Sequence, residues 1–193
     1  MSAKITQDEI NKIVWKACDT FRGVVDPSQY KDYILTMLFL KYISDVNKSK
    51  YNEYLQRYGD DKERVARAMN RESFQVPETS SFYYLYDNRN VVNIGELIDI
   101  ALTDLENANR KKLSSEDGCG VFHNISFNNS NLGEVKDRNV RLKQLLEDFA
   151  DEKFMAQSGE AIKYKLIGFE NQAASIENNM RKAIQRRIEL ISS

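Results

Sequence analysis

The chain has 193 residues, of which 41% are hydrophobic and 30% charged, and a formal net charge of −1. This is the balance of a soluble globular protein with one core, and it excludes a disordered or fibrous chain. Two cysteines, Cys18 and Cys119, and one histidine, His123, exclude a disulfide framework and a histidine pair for metal binding or proton relay. With no net positive field, any contact with nucleic acid has to come from a local basic patch.

The first predicted helix opens on Thr6-Gln7-Asp8-Glu9, a capping box in which Thr6 and Glu9 satisfy each other's backbone amides. Ile10, Ile13, Val14, Ala17, Cys18 and Phe21 follow at steps of three and four, and Gly23 closes the helix. Trp15 on this helix is read as a core residue or, second, as a plug for a partner surface. Asp26-Pro27 is an N-cap followed by proline at the first helical position, where its missing amide costs nothing. From Ile34 to Ile43 the second helix is apolar almost all round, which predicts the central element of a bundle. Its longest apolar run, Tyr33 to Leu40, falls far short of the roughly 20 residues that cross a bilayer. Met1 to Asp8 carries no apolar leader, so the expected location is the cytoplasm.

Asp60 to Met69 predicts a short helix with Val65, Ala68 and Met69 inward, and Arg64, Arg67 and Arg71 share the opposite face. Residues 72–92, with Pro77, a Ser/Thr cluster and the aromatic run Phe82 to Tyr86, show no sustained helical period and are expected to be a long packed connection. Asn93 to Glu96 is a second cap-and-glutamate pair, opening a helix whose inward face is Ile94, Leu97, Ile98, Ala101, Leu102 and Leu105. Gly118 and Gly120 break the chain, and the asparagine-rich stretch Asn124 to Asn131 reads as a loop. A helix near Asn139 to Phe149 and a last one over Ser175 to Ile191 complete the pass. The expected fold is all-α, a helical bundle with at most a short extended or hairpin segment around 121–127, organised as a helical domain over 1–154 and a divergent segment with a terminal helix over 155–193.

No catalytic or cofactor chemistry is legible. A methyltransferase acting on an exocyclic base nitrogen needs a glycine-rich turn for S-adenosylmethionine and a polar-proline-proline-aromatic motif for the flipped base. The two prolines, Pro27 and Pro77, follow Asp26 and Val76 and stand singly. Asp117-Gly118-Cys119-Gly120 is a partial likeness of a cofactor-binding turn of the form Asp-Pro-x-Cys-Gly-x-Gly, without the proline or the later glycine. Asp60-Asp61, Glu116-Asp117 and Asp151-Glu152 lie in highly charged segments, whereas acid-base catalysis needs a carboxyl shifted by burial. The terminal cluster Arg181, Lys182, Arg186 and Arg187 reads as favourable charge at a helix C-terminus.

Four linked segments carry a family resemblance. Trp15 to Asp19, Phe21-Arg22-Gly23, Tyr30-Lys31 and Leu38 to Asp45 (Leu-Phe-Leu-Lys-Tyr-Ile-Ser-Asp) resemble the N-terminal domain of type I modification subunits, called HsdM. Asn93-Ile94-Gly95, Leu105-Glu106 with Asn109, Leu113, and Gly120-Val121-Phe122 extend the likeness over about residues 8–150. The family usually has Asn-Pro where this chain has Asn109-Arg110, a tryptophan near Phe82, and a Gly-Glu-Phe-Tyr-Thr-Pro segment where this chain runs from Met155 to Ser193 without one.

The resemblance implies a helical domain beside a Rossmann-like catalytic domain, in an enzyme that methylates adenine in a two-part DNA target with S-adenosylmethionine as donor. It implies as partners DNA, a specificity subunit, a second modification subunit and the restriction subunit of the full complex. The expected role is clamp and interface, with no catalytic machinery, cofactor or metal in this chain and no membrane partner. The candidate DNA or subunit contacts are Arg22, Lys31 and Lys41, which lie in the family-like segments, and Arg57, Arg64, Arg67 and Arg71, spaced along helical faces. A second expectation is a free-standing interaction protein that docks on an intact modification subunit, motivated by the unmatched tail.

Overall fold

The computed structural model describes residues 16–25, 27–113, 120, 122 and 124–150. The capping box at Thr6, Trp15, Asp26, Gly118, Cys119, His123, the acidic pairs at 116–117 and 151–152, and the terminal helix with its arginine cluster lie outside the described residues. Among the described residues, six helices follow in order: α1 (16–21), α2 (Pro27–Tyr58), α3 (Lys62–Met69), α4 (Phe82–Asp87), α5 (Ile94–Ala108) and α6 (Val135–Phe149). Short 3-10 turns at Glu78–Ser80 and Ser130–Leu132 lead into α4 and α6. Among the described residues there is no sheet, and no helix is long and apolar enough to cross a membrane.

The first helix ends as its glycine predicts. Gly23 takes a positive φ of 79°, and the amides of Val24 and Val25 turn back to the Phe21 carbonyl. Its apolar stripe, Ala17, Cys18 and Phe21, is buried. The stripe is tied to α6 by a carboxylate that accepts from Lys16, Thr20 and Gln144 at 2.9, 3.2 and 2.9 Å, that of buried Asp148.

Helix α2 runs 32 residues, about 48 Å at ~1.5 Å per residue. Its apolar segment is the centre of the bundle: Tyr33, Ile34, Met37, Leu38, Leu40 and Ile43 are buried, and α3, α4 and α6 all pack on this helix. Tyr33 also anchors the chain's later half, meeting the Phe127 ring edge-on at 5.2 Å. Each such buried side chain contributes roughly 1.5–3 kcal/mol of apolar burial.

The connection over 72–92 differs from expectation. It contains a two-turn helix, α4, whose amide at Tyr84 is capped by Ser81 and whose Phe82 and Leu85 are buried. Six residues are too few to display a helical period, and the helix exists because tertiary contacts hold it. The Phe82 amide donates to Ser44 Oγ on α2 at 2.8 Å.

Helix α5 buries Ile94, Ile98, Ala101, Leu102 and Leu105 as its pattern predicts, with Leu97 partly buried. The Asn93 side chain does not cap the backbone; its amide donates instead to Glu96 Oε2 at 3.3 Å. The loop after α5 is seated on Asp99, whose carboxylate accepts from the Phe127 amide at 2.7 Å, Ser126 Oγ at 2.7 Å and the Asn128 amide at 3.3 Å. Of the segment expected to be extended, Phe122, Asn124 and Phe127 lie in turns, with the Phe122 carbonyl accepting from the Ile125 amide. Helix α6 begins at Val135, one turn before the predicted start, and buries Leu142, Leu145, Leu146 and Phe149.

Gly95 is the position where the backbones of α5 and this loop approach most closely. A Cβ there would stand 2.6 Å from the Phe127 carbonyl oxygen and 3.2 Å from Asn128 Cα. Alanine ordinarily gains about 1 kcal/mol over glycine in a helix. At this site Gly95→Ala is expected to destabilise by about 1–3 kcal/mol, because backbone rather than a mobile side chain must yield. A urea midpoint equal to or above the parent's would refute this.

Candidate nucleic-acid interface

The C-terminal half of α2 and the whole of α3 form a helical hairpin. Gly59 turns it with a φ of 60°, and its amide closes on the Leu55 carbonyl at 2.8 Å. Asp61 then caps α3, its carboxylate accepting from the Arg64 amide at 3.0 Å. Val65 packs inward at 1% exposure and Ala68 and Met69 are half-buried, while Arg64 and Arg67 stand exposed as the helical spacing predicts; Arg71, also exposed, lies in the turn beyond the end of α3.

Two guanidiniums meet at this turn. Arg57, in the last turn of α2, and Arg64, in α3, each lie 5.7 Å from the centroid of the Tyr58 ring. Such contacts contribute roughly 0.5–1 kcal/mol at exposed sites, enough to bias where the cations sit. Tyr58 is itself stacked on Tyr54, with centroids 6.1 Å apart and the planes 19° from parallel. Tyr54 is fixed by its hydroxyl, which donates to Glu72. Of the neighbouring carboxylates, Glu63 lies 3.8 Å from Arg67, Glu53 and Glu72 each lie 3.8 Å from Lys50, and Asp60 and Asp61 are exposed at the turn itself. Among the described residues, Arg57, Arg64 and Arg71 form no ion pair.

The Tyr54–Glu72 bond sets a pH dependence. Donation to the Glu72 carboxylate, reinforced by burial, raises the phenol from 10.0 to about 12. The folded value exceeds the unfolded one, so this contact stabilises the hairpin below pH 10 and its stabilisation disappears as pH rises through about 12. Glu72→Gln is expected to bring one tyrosine back toward 10.0 in the difference between tyrosinate absorbance titrations. Identical curves would remove the assignment.

The remaining candidates lie apart from this hairpin. Arg22 is exposed after α1 and pairs with Asp19 at 2.9 Å, an i,i+3 surface pair of little energetic weight. Lys31 lies in the first turns of α2, and its side chain is outside the described residues. Lys41 is not a surface contact: it is 0% exposed, its ammonium 2.5 Å from the Asp45 carboxylate one turn on. Tyr83 of α4 donates to the same carboxylate oxygen, and the Lys41 ammonium lies 5.3 and 5.1 Å from the Phe82 and Tyr83 ring centroids. Burial pushes the Lys41 ammonium down and the Tyr83 phenol up. This cluster fastens α4 to α2, which takes Lys41 out of reach of an external phosphate.

Of the likeness to a cofactor turn, only Gly120 lies among the described residues. The space beside Gly120 is filled by the Glu106 carboxylate, which accepts from the Phe122 amide at 2.6 Å, and no strand precedes this turn among the described residues. Nor do the described residues gather a set of His, Cys, Asp and Glu able to hold a metal ion. Their exposed surface offers charge and hydrogen bonding, together with the exposed valines Val92, Val135 and Val140.

Sequence spacing found the α3 arginine face but missed Tyr58 as the shared ring. The only signal for it was the run Arg57-Tyr58-Gly59, separated by Asp60 from the N-cap Asp61.

Comparison with known proteins gives two family matches. The HsdM N-terminal domain family matches residues 10–149, the span of α1 to α6. Residues 146–193 are similar to the family described as phage portal protein, SPP1 Gp6-like. No curated protein matches the chain.

Proposed function

Because the chain belongs to the HsdM N-terminal domain family and so carries part of a type I restriction-modification modification subunit, we propose that its helical bundle serves subunit assembly and DNA clamping in a site-specific adenine methyltransferase. The family match across the whole described bundle carries this reading. In the parent enzyme S-adenosylmethionine supplies the methyl group. This chain's residues are assigned no step of the transfer, since its sequence carries no base-gripping motif. The partners proposed are DNA, a specificity subunit, a second modification subunit and the restriction subunit, and the proposed location is the cytoplasm.

The test is titration of the chain with duplex DNA at low and moderate salt, with and without the specificity subunit of the same system. Salt-sensitive binding by the chain alone supports a DNA-facing surface. Binding that needs the specificity subunit assigns the bundle chiefly to assembly. No association with either would sink the reading.

A second reading rests on the change of family likeness near residues 146–149, where the second match, over 146–193, takes over from the first. Here the protein is a free-standing regulator that docks on an intact modification subunit. It predicts that the chain displaces a full modification subunit from its specificity subunit, or binds the modification subunit directly.

A further inference from the structure

We infer that the phosphate-gripping element of this surface is the pair Arg57 and Arg64, preset by the Tyr58 ring between the ends of α2 and α3, and that its ligand is the sugar-phosphate backbone of duplex DNA. This deepens the clamp reading and rests on it. Both cations are exposed and neither has a carboxylate partner among the described residues. Both share one ring at 5.7 Å, which is held in turn by the Tyr54 stack and the Glu72 anchor. A guanidinium lying against an aromatic ring keeps its N–H edge for bidentate donation to phosphate, and its ordering cost has already been met.

The surroundings favour a phosphate backbone over a protein partner. Protein interfaces have apolar cores depleted of charge. Here Arg57, Gly59, Asp60, Asp61, Lys62, Glu63, Arg64, Arg67 and Arg71 are exposed, and of the large exposed hydrophobics only Tyr51 lies on the hairpin, about two turns before Arg57 on α2. Arg67 is not part of the grip, because Glu63 stands against it.

The test is fluorescence anisotropy of the full chain with a labelled duplex, read as the slope of log affinity against log salt between ~20 and ~200 mM. Arg57→Gln/Arg64→Gln is expected to flatten that slope by about 2, at ~0.9 for each phosphate no longer neutralised. Arg67→Gln is expected to leave it nearly unchanged. Tyr58→Leu keeps both charges and is expected to weaken binding by loosening them. An unchanged slope in the double variant overturns the assignment, as does equal flattening by Arg67→Gln, which would mean a diffuse field. Loss of specificity-subunit binding with the DNA slope intact would make the hairpin a protein contact and also overturn it. If the parent chain shows no salt-dependent DNA binding, the grip is refuted, while the assembly reading stands on its separate test against the specificity subunit. Urea midpoints serve as the folding control, since these side chains lie outside the core.

Discussion

Lys41→Met is expected to destabilise the bundle by about 3–5 kcal/mol, the cost of leaving a buried carboxylate without its counter-charge. Asp45 is 2% exposed, and its Oδ2 has no hydrogen-bond partner even with Lys41 in place. Removing the ammonium leaves the Tyr83 hydroxyl as the remaining donor to Oδ1. The replacement side chain fits, so the destabilisation reports on charge and not on volume. The combination Lys41→Met, Asp45→Leu and Tyr83→Phe is expected to recover most of the stability, because apolar groups of similar shape carry no desolvation penalty. Urea denaturation followed by circular dichroism measures both. A single variant within about 1 kcal/mol of the parent would mean the pair is solvated in solution, against the buried geometry.

The second large effect is expected at Asn109, and Asn109→Ala should cost about 2–4 kcal/mol. Its side-chain oxygen accepts from the Gln75 amide at 2.8 Å, and its nitrogen donates to the Gln75 carbonyl at 2.6 Å and the Leu105 carbonyl at 2.9 Å. The amide thus pairs with the backbone of the connection between α3 and α4 as a neighbouring strand would, and it fastens that connection to the end of α5. Alanine orphans these backbone groups at a site where Asn109 is only 6% exposed. Asn109→Asp should be no better than alanine, since a carboxylate would face two carbonyls and donate to neither. Hydrogen exchange at the Gln75 amide gives the local readout, and an unchanged protection factor in Asn109→Ala would count against the assignment. Arg110, the next residue, is exposed and donates to the Asn107 side-chain oxygen at 3.1 Å.

Helices could be read from the sequence where a pattern ran long enough to be periodic. Ala17, Cys18 and Phe21 of α1, Val65 of α3, the inward face of α5 and the buried centre of α2 were legible because burial repeats every three to four residues, over a run of 15 in α5. Helix α4 was not legible, because six residues stabilised by Ser44, Phe82 and Leu85 carry no period of their own.

For the candidate site the division follows the same line. Spacing alone placed Arg64 and Arg67 on the outer face of a short helix, since side chains three and four apart share a face, whereas Arg71 lies past the end of that helix. It equally grouped Lys41 with the surface contacts, because a lysine in an otherwise apolar helix gives no sign of whether a carboxylate one turn on and a tyrosine 42 residues on will enclose it. Only the packing of α4 against α2 decided that Lys41 is structural. Only the closing angle of the α2–α3 hairpin brought Arg57 and Arg64 to one ring. Local periodicity is a property of the chain and can be read from it. Which charges are buried as pairs and which are left facing solvent depends on contacts between distant segments, and the tertiary structure alone supplies those.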